Sequence, residues 1–209
     1  MAKHAFTLAL VGGALALGLS SGVTAGNIKN IATGKMLVDT CAGCHGTHGN
    51  SVGPAAPSIA GMDPLVFVDM MIAFQEDDTY STIMGRIARG YSEGELIEMG
   101  TYLKQQPFEP VAQSYDESLV ADGDAYHEKF CSNCHEEGGK ALADVEDYII
   151  LAGQWTPYLK YAMEDFLEDR RMTPKKMARS LERMFEDHGE ESLDALYAYY
   201  ASQQDYKQE

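Results

Sequence analysis

Residues 41–45 read CAGCH and residues 131–135 read CSNCH, and these two pentapeptides use all four cysteines of the chain. In each, two thiols stand about one helical turn apart and a histidine follows directly. This spacing lets both thiols of a unit add to the two vinyl groups of one porphyrin while the next residue's imidazole sits under the iron. It is the attachment pattern of c-type haem. Cys41, Cys44, Cys131 and Cys134 are the expected covalent anchors of two haem c groups, with His45 and His135 as proximal iron ligands. Zinc is a competing use of such residues, but the pairs lie 90 residues apart, whereas structural zinc sites usually draw on one short segment. Two disulfides would also suit an exported chain, yet a histidine closes each pair.

A sixth ligand has to come from eleven methionines or a few spare histidines. An internal repeat narrows the choice, because matching features of two tandem halves should drift apart in one direction. The motifs are offset by 90, Ala60-Gly61 and Ala152-Gly153 by 92, and the terminal stretches TYLKQQ and YYASQQ by 98. Met84 and Met177, offset by 93 and both followed by a small residue and an arginine, fall in order. They are the expected axial pair. Met71 and Met163, offset by 92, also satisfy the ordering and stay as rivals; both lie in apolar helical stretches, where methionine usually fills core space. His/Met ligation raises the reduction potential and suits electron transfer.

The first 25 residues read as a secretory signal peptide: Lys3, an apolar run from Ala5 to Leu19, and small residues up to Ala25. That run is shorter than a bilayer span, so a periplasmic location is expected. The chain carries 16 basic and 32 acidic residues, a net charge of −16 that becomes −17 once Lys3 is lost. Such a charge disfavours nucleic acid and anionic membrane and favours a basic protein surface.

The periodicity is helical throughout, with no alternating run that argues for a sheet. The expected fold is all-α, two tandem haem domains over residues 26–110 and 111–209. Helices are expected from Asn27 to Thr40, from Leu65 to Phe74, and after Ser92, which forms a capping box with Glu95. Pro107 and Pro110 should end the first unit. In the second, a helix runs into Cys131, Thr156 and Thr173 precede prolines as expected N-caps, Gly189 stops a helix, and Leu193, Leu196, Tyr197 and Tyr200 line the last one. Trp155, Tyr158 and Tyr161 are expected around the second haem. Arg86 and Arg179 are candidate partners for haem propionates, while His48, His127 and His188 read as surface residues.

The tandem CxxCH units, the segment CHGTHGNSVGPAAPSIAG and the paired methionine sites resemble two-domain class I cytochromes c of the cytochrome c4 kind. The stretches STIMGRIARGYS, EGGKALADVEDYIILAGQWTPYL and LDALYAYYASQQ make the chain more similar to the dihaem cytochrome subunit of flavocytochrome c sulfide dehydrogenase. That resemblance implies an electron-transfer subunit, not catalytic alone, paired in the periplasm with a flavoprotein that oxidises sulfide at FAD. The electrons would pass on to an external acceptor, possibly a basic cytochrome c. This chain has no G-x-G-x-x-G of its own for a dinucleotide. The alternative is a free periplasmic dihaem shuttle. In the family, a loop proline supplies the carbonyl that orients the proximal histidine; Pro54 and Pro57 suit the first site, but no proline lies between His135 and Pro157. The second site must use another carbonyl or a water.

Overall fold

The computed structural model describes residues 33–142 and 148–206. The expected signal peptide and most of the first expected helix lie outside these residues. Nine α-helices are described: α1 (Gly34–Asp39), α2 (Ala42–His45), α3 (Pro64–Gln75), α4 (Met84–Ala88), α5 (Glu93–Lys104), α6 (Val120–Tyr126), α7 (Thr156–Leu167), α8 (Lys175–His188) and α9 (Ser192–Ser202). Among the described residues the sole β pairing is an isolated bridge between Thr79 and Arg171.

Local chemistry explains most boundaries. Asp63 caps α3 by accepting hydrogen bonds from the Leu65 and Val66 amides, and Pro64 follows at the first helical position. Ser92 and Glu95 form the expected reciprocal box at the start of α5, and Gly189, with φ 77°, ends α8. Two expected caps fail. Trp155 occupies the N-cap of α7, so Thr156 is its first helical residue; the Thr156 hydroxyl is buried without a partner, and its amide donates to Gln113 Oε1. Pro174, not Thr173, precedes α8, and the Thr173 hydroxyl donates to the Phe166 carbonyl. The helix into Cys131 ends in a π-helical turn over His127–Cys131.

The halves repeat one another in backbone detail. Gly61 donates to the Leu103 carbonyl and Gly153 to the Tyr200 carbonyl, both at 2.9 Å. The Ala73 carbonyl accepts from Asp78 and Thr79 as the Asp165 carbonyl accepts from Arg170 and Arg171, after the left-handed residues Asp77 (φ 63°) and Asp169 (φ 54°). These pairs keep an offset of 92 until the last helix, where Leu103 and Tyr200 differ by 97. The terminal offset of 98 is therefore one too large, since α9 is registered by a glycine crossing and not by its trailing glutamines. An added Cβ on Gly34 would sit 2.2 Å from the Glu98 carbonyl oxygen, and one on Gly123 2.0 Å from that of Ala195. The first helix of each half thus crosses the last in backbone contact.

Each half has its own core. Leu37, Val38, Phe67, Val68, Met71, Leu96, Met99 and Leu103 form the first; Phe130, Leu159, Leu181, Met184, Leu196, Tyr197 and Tyr200 form the second. Between them the chain is pinned on both sides. Asn50 holds Pro107 and Glu109, the Val111 amide donates to the Gly153 carbonyl, and Gln113 is bonded to Gln154, Thr156 and Gln204.

Candidate haem sites

At the first motif, α2 presents Cys41 half-buried, Cys44 exposed and His45 half-buried. The His45 Nδ1 lies 2.8 Å from the Pro57 carbonyl oxygen. A carbonyl can only accept, so Nδ1 carries the proton and Nε2 keeps its lone pair, the state an iron ligand needs. Burial lowers the affinity of this imidazole for a second proton, against the opposing pull of the Pro57 carbonyl. Burial also raises the Cys41 thiol pKa, while Thr40, which bridges to Tyr91, opposes the shift.

The second motif differs where the sequence suggested it would. His135 Nδ1 is buried without a hydrogen bond of normal geometry, although the Ile149 carbonyl is near enough to favour its protonated form. Ile149 is the repeat counterpart of Pro57 at an offset of 92, so the carbonyl position is kept without the proline. Burial is the larger influence on His135 and lowers its pKa. Cys131 is pushed up to about 11 by burial, with Tyr200 as hydrogen-bond partner.

Cys131, Cys134 and His135 open onto a cavity of about 1370 Å³, beyond the range of about 300–1,000 Å³ usual for small-molecule pockets. Leu159, Phe166, Leu181 and Tyr197 give it apolar walls, and Met163 and Met177 both line it. Pro57, Ser58, Met62 and Met70 of the first half complete the wall. Paired thiols, a buried imidazole nitrogen and an apolar space of this size fit a porphyrin. None of the four cysteines is in a disulfide, and no cluster of three or more acidic, histidine or cysteine side chains suits a metal ion among the described residues.

Of the methionines, Met84 flanks the first core together with Cys41, whereas Met71, 4% exposed, is enclosed within it. Met163 and Met177 both flank the second core. Arg179 stands on the cavity rim with Arg171, Lys175, Lys176 and Arg183, a cationic edge on an acidic chain; Arg86 is exposed on α4. Tyr158 lines the cavity as expected, but Tyr161 is 55% exposed and Trp155 reaches to the Ser51 carbonyl of the first half. His48 and His188 are exposed, but His127 is only 2% exposed, bonded to the Tyr200 hydroxyl at 3.0 Å. The sequence signal for this pair was the repeat itself, since Leu37 and Leu103 occupy the equivalent places.

A solved cytochrome c4 from Pseudomonas stutzeri superposes with a TM-score of 0.66 at 21% identity, over 80% of this chain and 95% of that one. The fold is that of a cytochrome c4. No protein-family model matches the chain. Its homologues include the cytochrome c4 of Thiocapsa roseopersicina, 28% identical over 134 residues, which are 60% of this chain and 68% of that protein. They also include the cytochrome subunit of sulfide dehydrogenase from Chlorobaculum tepidum, 42% identical over 69 residues, 33% of this chain and 62% of that protein. A thiosulfate dehydrogenase, TsdBA, from Marichromatium purpuratum matches in fold, with a TM-score of 0.66 at 20% identity over 81% of this chain and 39% of that one. Cytochrome c relatives and two CxxCH motifs together imply haem c at both sites and a role in electron transfer. Among the described residues no helix is long and apolar enough to cross a membrane.

Proposed function

We propose that the chain is the dihaem electron-transfer subunit of a periplasmic flavocytochrome c sulfide dehydrogenase. Exported by a signal peptide ending at residue 25, it divides at residues 110 and 111 into two haem domains. Cys41 and Cys44 anchor one haem, Cys131 and Cys134 the other; His45 and Met84, and His135 and Met177, are the axial ligands. Each bound haem supplies a one-electron couple. This chain would contribute two thiols for covalent anchorage and one histidine ligand at each site, with His45 held as the Nδ1–H tautomer by the Pro57 carbonyl and apolar walls around the second site.

The observation that carries this reading is the duplicated CxxCH site joined to 42% identity with a sulfide dehydrogenase cytochrome subunit. The partner holds FAD, and electrons leave this chain for a soluble acceptor. A free periplasmic shuttle is the second reading, favoured by the greater span of the match to the Thiocapsa cytochrome c4. Stopped-flow mixing separates them. Sulfide should reduce the haems rapidly only when a flavoprotein partner is bound, and a chain whose haems never accept electrons from such a partner is a shuttle.

A further inference from the structure

Gln154, in the second half, is 3% exposed and turns its side-chain amide to the first half, its Oε1 also accepting from the Trp155 amide at 3.2 Å. Its Oε1 accepts from the Ser58 amide and its Nε2 donates to the Ser58 carbonyl, both at 2.9 Å. The Ser58 amide belongs to the same peptide unit as the Pro57 carbonyl, which accepts from His45 Nδ1 at 2.8 Å. One peptide group therefore joins Gln154 to His45. Trp155 adds a second tie, its Nε1 donating to the Ser51 carbonyl at 3.1 Å. Ser51 is itself bonded to Ser58 Oγ at 3.0 Å and to the Cys44 carbonyl at 3.3 Å.

The arrangement is one-sided. At the repeat offset of 92 the counterpart of Gln154 is Met62, which has no amide, and that of Ser58 is Ile150. The second site thus lacks the clamp, and there His135 Nδ1 makes no hydrogen bond of normal geometry.

We propose that Gln154 is a positioning residue for His45, acting from the second half through the Pro57–Ser58 peptide to fix the ring and raise its basicity. The proposal rests on His45 being an iron ligand, as read above. Hydrogen bonds at both ends of a peptide polarise it, so a clamped Pro57 carbonyl accepts more strongly. A more basic imidazole favours oxidised iron. The clamp accordingly lowers the potential of the first haem, and it bears on the second only as part of the cavity wall there, to which Pro57, Ser58 and Gln154 belong.

The test uses the intact dihaem protein with Gln154→Leu and, separately, Trp155→Phe. Redox potentiometry gives each haem's potential, and proton NMR gives exchange of the His45 Nδ1–H. Gln154→Leu should raise the first potential more than the second, whose cavity Gln154 also lines, and speed that exchange by up to about tenfold, the scale of one lost hydrogen bond. Trp155→Phe keeps the aromatic packing and should shift the first potential less, in the same direction; it serves if the leucine variant fails to fold. A folded Gln154→Leu protein with unchanged potential and exchange would overturn the proposal, as would equal shifts at both haems, which mark a merely structural contact. Wild-type His45 ring signals free of any paramagnetic shift would overturn the ligand reading as well, and so tell the two failures apart.

Discussion

Replacing Gly123 by alanine tests the helix crossing that frames the second haem site. The new Cβ would lie 2.0 Å from the Ala195 carbonyl oxygen and 2.7 Å from Tyr199 Cβ, none of it the movable end of a side chain. α6 and α9 would have to part by about 1 Å to restore contact distances in a close-packed interior. α9 supplies Leu196, Tyr197 and Tyr200 to the second core and to the cavity wall, so the displacement spreads into the site. Overpacking of this kind costs about 1–3 kcal/mol, occasionally more, set against up to about 1 kcal/mol gained by alanine over glycine in a helix. A contact as short as 2.0 Å to backbone calls for the upper end of that cost, so the net loss of about 2 kcal/mol would lower the melting temperature of a domain this size by about 8–16 °C. The control is Gly94→Ala in α5, where an added Cβ meets nothing within 4 Å, and a gain of about 0.5–1 kcal/mol is expected. Thermal melts followed by circular dichroism should move in opposite directions for the two variants. A Gly123→Ala protein as stable as the parent would refute the crossing.

Three further outcomes are expected. With one methionine per iron, Met177→Leu should remove about half of the methionine-to-iron charge-transfer absorbance, at a packing cost of under about 1.5 kcal/mol; survival of the band there with its halving in Met163→Leu would reverse the ligand assignment. Glu95 is held below its ordinary pKa of 4.5 mainly by the Ser92 amide, so its capping contribution is complete above the unfolded pKa and vanishes as pH falls through the lower folded one; Glu95→Gln should flatten that part of the stability–pH curve, and an unaltered acid limb would count against the box. The cationic rim of Arg171, Lys175, Lys176, Arg179 and Arg183 should make oxidation of the second haem by anionic ferricyanide slow down as salt rises, despite the net charge of −16; stopped-flow rates that instead rise with salt would show that the net charge governs.

What the sequence discloses follows the range of the interactions involved. The thiol and histidine positions and the Ser92–Glu95 box depend on residues within one helical turn, so they are legible directly. Thr156 misled because the helix takes it as its first residue and not as its cap, with its amide donating to Gln113, 43 positions away, and no local rule anticipates that contact. His127 looks like a surface residue among Tyr126, Glu128 and Lys129, yet the π-helical turn carries it inward against Tyr200. Ile149 contributes a backbone carbonyl, which every residue owns and no side chain advertises. Gln154 is invisible for a related reason: its partner, Ser58, is 96 positions away, and only the assembled halves bring them together.

The central claim is most directly tested by purifying the native protein from its source cells and recording its absorbance spectrum together with the mass of each subunit. The account predicts two covalent haems on this chain, flavin on a second co-eluting polypeptide, and haem bands that change on adding sulfide. A flavin-free dihaem protein that sulfide leaves oxidised would contradict it.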